Sequence, residues 1–190
     1  MKDVSIIVVN YNNRDLIGKC LSSVYERVKG VSFEIIVSDN DSIDGSPEFV
    51  EREFPGVILI RNGKNLGFGA ANNRALERAS GKYVFYLNSD AYLLNDAPSL
   101  FFRYWEGDPE SSRLGALGCN LLDSSLAYTH SHGPFPTFLG SLRVIAGDCV
   151  RSYILLVSRS LGAGLRRIGR APPRFEPTFG DVDYVTGAAL

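Results

Sequence analysis

Along the first half of the chain the apolar pattern changes period several times, and each change marks an element. Val4 to Val9 is an apolar run rich in β-branched residues, the pattern of a strand buried on both faces of a parallel sheet. It stops at Asn10-Tyr11-Asn12-Asn13. Beyond that turn Leu16, Cys20, Val24 and Val28 recur every four residues with Ile17 and Leu21 beside them, which predicts an amphipathic helix over residues 14–28. Asn12 or Asn13 is placed to cap it.

The alternation then repeats. A strand over Phe33 to Ser38 is followed by a polar loop and a short helix starting at Pro47, with Ser46 as its cap and proline in the favoured first position. A strand from Val57 to Arg61, the polar turn NGKNLGFG, a helix near residues 70–79 and a strand from Tyr83 to Leu87 continue the series. Strands alternating with helices predict right-handed crossovers and a largely parallel, doubly wound α/β sheet. In such a sheet every strand ends on one edge, and ligands bind outside that edge. The segments NYNN, DNDSIDGS and NSDA, far apart in sequence, are therefore expected to converge into a site of carboxylates, amides and hydroxyls.

After Asp96-Ala97-Pro98, a helix start with Asp96 as cap, the pattern weakens. LGALGCNLLD reads as a further strand and HSHGPFPTFLG as loop. Residues 143–174 carry seven arginines (143, 151, 159, 166, 167, 170 and 174) against Asp148 alone, beside the apolar stretch YILLV.

The totals narrow the classes. A chain of 190 residues with 45% apolar composition can bury one sizeable core, so a single domain is expected. The net charge of −1 gives no global attraction to nucleic acid or an anionic membrane, leaving only local patches to do so. Cys20, Cys119 and Cys149 are odd in number, widely spaced and without a CxxC pair, which points to free thiols in a reducing, cytoplasmic compartment. No stretch resembles a signal peptide or reaches the roughly 18 apolar residues of a membrane span.

Candidate chemistry then falls on the strand ends. A carboxylate at Asp90, just past a buried strand, suits a hard divalent cation that also keeps water and phosphate oxygens; the plainer reading is a turn cap. Asp39, equivalent after the second strand, can accept a hydrogen bond from the imide N–H of uracil or thymine or from a ribose hydroxyl, while Asp41 and Asp44 suit turn bonds to their own backbone. Gly67-Phe68-Gly69 is a weak dinucleotide signal, because Asn72 stands where the third glycine belongs. Its glycines and Asn65 fit a close backbone approach to a ligand near a helix start. His130 and His132 lack further ligands at a metal-binding spacing, and Trp105 with Phe101 and Phe102 reads as core packing.

In order and spacing, SIIVVNYN, EIIVSDNDSIDGS, NLGFGAANNRAL, GKYVFYLNSDAYL and VDYVTGAAL resemble glycosyltransferase family 2, especially its bacterial rhamnosyltransferase-like members, over nearly the whole chain. The resemblance implies a GT-A fold, a Rossmann-like doubly wound sheet with helices on both faces. It further implies Mn2+ or Mg2+ and transfer of a sugar from a nucleotide-diphospho-sugar with inversion. On this resemblance Asn10, Tyr11 and Asn12 cradle the nucleotide, Asp39 meets the base, and Asn40 belongs to the nucleotide-sugar site. Asn65, Gly67, Asn72 and Asn88 complete the donor site, Asp90 holds the metal, and Gly187 lies on the acceptor side. Asn88-Ser89-Asp90 matches the family's DxD motif with asparagine in place of its first acid, so the cation would lean on Asp90, the diphosphate and water.

The family's catalytic base is an acid downstream of VDYVTGA, and Asp181 and Asp183 lie upstream of that place. The expectation is therefore a single GT-A domain over 1–190, ending before its acceptor half is complete, with the base beyond Leu190. Residues 1–120 would be the nucleotide-sugar half and 121–190 the start of the acceptor half. The expected partners are the donor and a glycan or polyprenyl-linked acceptor, with dTDP-rhamnose as the first donor. The arginine-rich segment is either an interfacial helix on the inner face of the membrane or an ordinary solvated helix. Two rivals are a non-catalytic nucleotide-sugar-binding module and a nucleotidyltransferase. The latter calls for a glycine-rich basic loop after the first strand, which VVNYNNRD is not.

Overall fold

The computed structural model describes residues 1–107, 109 and 115–129, with the backbone of 132–133 and 184–185. The apolar runs form β1 (Val4–Asn10), β2 (Phe33–Asp39), β3 (Ile58–Arg61) and β4 (Tyr83–Asn88), which lie in the order β3-β2-β1-β4. All the neighbouring pairs are parallel. Four helices alternate with them: α1 (Arg14–Arg27), α2 (Ser46–Glu53), α3 (Phe68–Leu76) and α4 (Ala97–Gly107).

Because successive side chains of a strand point to opposite faces, the continuous apolar runs feed two layers. Val4, Ile6 and Val8 of β1 with Ile35 and Val37 of β2 pack against Ile17, Cys20, Leu21 and Val24 of α1 and Val50 of α2. On the other face Ile7 and Ile36 meet Ala75 of α3. Ile6, Ile7, Val8 and Ile36 are fully buried, each contributing about 1.5–3 kcal/mol of transfer free energy. Phe101 stacks at a tilt on Phe85, while Phe102 and Trp105 pack on Tyr83, so the α4 aromatics serve packing as expected.

The element ends differ from the sequence reading for local reasons. The ladder carries β2 on to Asp39 and β4 on to Asn88, past the apolar residues, because backbone pairing does not depend on the side chain. Ser46 is not the cap of α2. Gly45, at φ 79°, takes that position, and the Ser46 hydroxyl is drawn instead to Asp44 and donated to by Asn10. Asn13 holds the cap position of α1 but makes no capping bond, and the Arg14 N–H is met by Asp44 Oδ2 at 2.8 Å. Helix α3 starts earlier than predicted, at Phe68, and its α pattern closes at Leu76, where Arg78 and Ala79 bond three residues back. Asp96 does cap α4 through the Ser99 N–H, and it also accepts from the N–H groups of Lys29 and Gly30.

The described residues fall into two compact units, within Met1–Cys119 and within Asn120–Thr186. Among the described residues of LGALGCNLLD the second unit holds β5 (Leu121–Leu122), antiparallel to β6 (Tyr128–Thr129) around a turn closed on Asp123. The predicted loop beginning at His130 contains β7 (His132–Gly133), whose backbone pairs antiparallel with β8 (Tyr184–Val185). The arginine-rich segment 143–174, His130, Cys149, Asp181, Asp183 and Gly187 lie outside the described residues. Among the described residues no helix is long and apolar enough to cross a membrane.

Candidate functional site

The chain leaves β1 for β2 and β3 on one side and returns to place β4 on the other. This reversal makes the carboxyl ends of β1 and β4 the topological switch point, where an open α/β sheet offers its crevice. Register puts Asn10 beside Asp39 and Val9 beside Asn88, so the three polar segments do share one edge. A hydrogen bond from Asn13 Nδ2 to Ser89 Oγ, 3.0 Å, ties the turn after β1 to the turn after β4.

The turns after β1 and β2 form one network. Asn10, 1% exposed, donates through Nδ2 to Asp39 Oδ1 at 2.8 Å, Ser46 Oγ at 2.8 Å and Ser42 Oγ at 3.1 Å. Asp39 accepts in addition the Ser42 hydroxyl at 2.6 Å and its N–H at 2.9 Å. Those bonds use all but about one of the acceptor sites of a carboxylate, and Asp39 itself is buried. Asn12 stands at φ 49°, in the left-handed region, with its Oδ1 accepting the Ile43 N–H and its own N–H donating to Ser42 Oγ. Asp44 holds the starts of α1 and α2 together through Arg14 and Ser46. Burial pushes its carboxyl up, and the bonds from Ser46 and Arg14 outweigh that and hold it below the usual range. The turn role expected of Asp44 is thus what it has. Tyr11 and Ile43 project from this loop pair into solvent.

A second network closes the β3 side. Asn40 Oδ1 accepts from Asn62 Nδ2 at 2.9 Å and the Leu66 N–H at 3.3 Å, and Asn40 Nδ2 donates to the Gly67 carbonyl. Asn65 Oδ1 accepts the Gly67 N–H at 2.8 Å. Gly67 has φ 78° and ψ 172°, a conformation essentially confined to glycine. No atom lies within 4 Å of where its Cβ would be, so the backbone here faces open space at a helix start. Asn72, buried on α3, donates to the Phe68 carbonyl one turn back.

At the end of β4 the Asn88 carbonyl accepts the Ala91 N–H and the Cys20 thiol. Burial first, and the Asp90 charge second, push that thiol up to about 12, so it stays protonated and donates. Asp90 Oδ1 is buried without a hydrogen-bond partner, and burial raises its carboxyl above the usual range. Among the described residues the buried side-chain polar atoms without a partner are Asn10 Oδ1, Asn62 Oδ1 and Asp90 Oδ1, and all stand at this one sheet edge. A buried unpaired carboxylate oxygen fits a cation ligand, since a cation removes the penalty that burial imposes. No group of three or more His, Cys, Asp or Glu among the described residues could enclose a metal, so a cation at Asp90 would take its remaining oxygens from ligand and water.

The structure therefore brings Asn10, Asn12, Asp39, Asn40, Asn88 and Asp90 to one edge with Asn65 and Gly67 beside Asn40, while Asn72 bonds within its own helix α3. Asn13, Ser42, Ser46 and Ser89 lie in the segments expected to converge, although sequence reasoning assigned none of them a role of its own in the site, and Asn62 was missed. Ser42 and Ser46 carry a signal, since serine hydroxyls bond readily to nearby backbone and side chains in such turns. Asn62 carries none, being one polar residue in a polar turn.

Residues 5–155 match the sequence model of the family described as Glycosyl transferase family 2. A poly(ribitol-phosphate) beta-glucosyltransferase of Bacillus spizizenii is 30% identical over 119 residues, 60% of this chain and 19% of that protein. A UDP-Glc:alpha-D-GlcNAc-diphosphoundecaprenol beta-1,3-glucosyltransferase of Escherichia coli is 34% identical over 97 residues, 48% of this chain and 37% of that protein. Among solved structures, the mannosyltransferase PcManGT from Pyrobaculum calidifontis, in complex with GDP-Man and Mn2+, superposes with a TM-score of 0.51 at 30% identity, over 57% of this chain and 33% of that one. The chain thus spans between about a fifth and two fifths of the length of these proteins. With the family matched over most of its length and the sheet shared with such enzymes, the chain belongs to glycosyltransferase family 2 and has the GT-A fold.

Proposed function

We propose that this chain carries the donor site of an inverting glycosyltransferase. In this reading a nucleotide-diphospho-sugar lies across the carboxyl edge of the sheet, and its sugar passes to a hydroxyl of a cell-surface glycan or lipid-linked acceptor. The observation that carries the reading is the buried, unpaired Asp90 Oδ1 at the switch point, beside the Asn13–Ser89 tie. The Asn10–Asn12 turn and the remaining acceptor site of Asp39 would meet the nucleoside, Asn40 with Asn65, Gly67 and Asn72 would shape the backbone on its β3 side, and Asn88 with Asp90 would face the diphosphate. Mn2+ or Mg2+ held by Asp90 would neutralise charge on the departing diphosphate. The chain's own residues fix orientation: Asp39 is held by Asn10 and Ser42, and Asn88 by its place in the β4 ladder.

An imide-bearing base, uracil or thymine, suits an acceptor at Asp39, and dTDP-rhamnose joins the UDP-hexoses as the first donors to test. Residues 1–120 would be the nucleotide-sugar half and 121–190, with Gly187, the start of the acceptor half. The arginine-rich segment 143–174 would rest on the anionic cytoplasmic face of the membrane, near a polyprenyl-linked acceptor. Sedimentation with anionic liposomes, compared with a variant whose arginines become glutamate, tests that contact.

Calorimetry of UDP, dTDP and GDP with and without Mn2+, on the wild type and Asp90→Ala, tests the site. Binding that needs the metal and is lost in Asp90→Ala is expected. Equal binding without metal, or none by the wild type, would remove the proposal. Binding without transfer in the full-length protein would instead assign a non-catalytic binding module.

A further inference from the structure

The residue after β3 has no direct place in the donor site, yet it organises one side of it. Asn62 is buried like Ser38 and Asn40, and its side-chain amide nitrogen is committed to those two protein partners. Its N–H donates to the Asp39 carbonyl at 2.9 Å, extending the β2–β3 ladder by one bond. Its side-chain Nδ2 donates to Ser38 Oγ and to Asn40 Oδ1, both at 2.9 Å.

The orientation of both amides follows from one backbone group. The Leu66 N–H can only donate, so the Asn40 atom it meets at 3.3 Å must be the oxygen. The Asn62 atom facing that same oxygen must then be the nitrogen. This leaves Asn62 Oδ1 turned away, buried and without a partner. A buried unpaired carbonyl is unfavourable, and an apolar residue of the same size would not have it. The stability that its two side-chain bonds supply is thus partly offset by the unpaired Oδ1, and stability alone does not account for Asn62. What it supplies is a fixed Asn40 amide, whose Oδ1 and Nδ2 grip Leu66 N–H and the Gly67 carbonyl on either side of the turn.

We infer that Asn62 is a positioning residue for nucleotide binding, which acts through Asn40 to hold the Leu66–Gly67 turn in its binding shape. The inference rests on the proposed function, because it assigns the open backbone at Gly67 to the ligand. Its mechanical part stands independently.

The test uses Asn62→Leu, with Asn62→Ala as a second variant should the first not fold, and Asn40→Ala with each double variant. Three quantities are measured: hydrogen exchange of the Leu66 amide, affinity for UDP with Mn2+ by calorimetry, and melting temperature. The expected result is Leu66 exchange faster by about tenfold and UDP affinity weaker by about tenfold, with little loss of melting temperature for Asn62→Leu. The effects of Asn62 and Asn40 substitutions should be non-additive, since they remove one linkage. Unchanged Leu66 exchange, additive losses, or a lowered melting temperature with unaltered affinity would each overturn the inference, the last by showing a purely structural role. Should the wild type bind none of UDP, dTDP and GDP, the proposed function fails, and Leu66 exchange alone decides whether Asn62 holds the turn.

Discussion

Asn13 and Ser89, 76 positions apart in sequence, are joined by a 3.0 Å hydrogen bond from the Asn13 amide to the Ser89 hydroxyl. This bond spans the switch point of the sheet, so it fixes the spacing of the two turns that a ligand in the crevice must touch. Asn13 sits at the cap position of α1 without a side-chain capping bond, and its amide nitrogen serves the tie to Ser89 instead. Ser89→Ala should weaken UDP–Mn2+ affinity about threefold to tenfold while altering stability by less than about 1 kcal/mol. Calorimetry and urea unfolding measure the two effects, and a loss of stability without a loss of affinity would assign the bond to folding alone.

Asp90 carries an opposing stability and binding role. Burial raises its carboxyl, which means that the folded state holds the proton more tightly than the unfolded chain. Its charged form therefore destabilises the metal-free protein at neutral pH, and the penalty fades as pH falls through the raised pKa. Asp90→Asn should leave metal-free stability at pH 7 equal to the wild type or higher by about 1 kcal/mol, with the difference closing toward acid. The same variant should lose Mn2+-dependent nucleotide binding. Thermal scans across pH and calorimetry read these effects.

Gly67 at φ 78° and ψ 172° has open space before its Cβ position, so a methyl group there meets no atom and only the backbone resists it. Gly67→Ala should destabilise by about 1–3 kcal/mol, read from the urea midpoint, and should weaken nucleotide binding through the displaced turn. An unchanged midpoint would show that the turn relaxes without strain.

Asp44 and Asp96 both lie below the usual carboxylate range, because hydrogen bonds to backbone N–H groups and serines outweigh the effect of burial. Their contribution is present above the unfolded carboxylate pKa near 3.8 and is lost as pH falls through their lower folded values. Acid unfolding should therefore be steepest below that value. Asp44→Ala, which frees the Arg14 and Ser46 N–H groups at the starts of α1 and α2, should lower stability at pH 7 by about 1–2 kcal/mol. It should also flatten the acid limb, as followed by circular dichroism.

The four strands and four helices were legible because period and β-branched content reflect burial on both faces, as the fully buried Ile6, Ile7, Val8 and Ile36 show. Their ends were less so. Ser46 looked like a cap, but a serine can bond to any donor or acceptor in reach, and Asn10 and Asp44 from other positions claimed it. LGALGCNLLD has the pattern of a strand, yet among its described residues only Leu121–Leu122 pair, and a strand exists only where another backbone pairs with it.

By itself the sequence determined the alternation of elements, the parallel sheet that follows from it, and the polar residues at each strand's carboxyl end. Those depend on near neighbours and on periodicity, which a linear pattern records. Tertiary structure alone decided that Asn13 reaches Ser89, that Asn62 sets Asn40, and that Asp90 Oδ1 is enclosed with no partner. Hydrogen-bond satisfaction is a property of the assembled neighbourhood, and no spacing along the chain states which donors will arrive there.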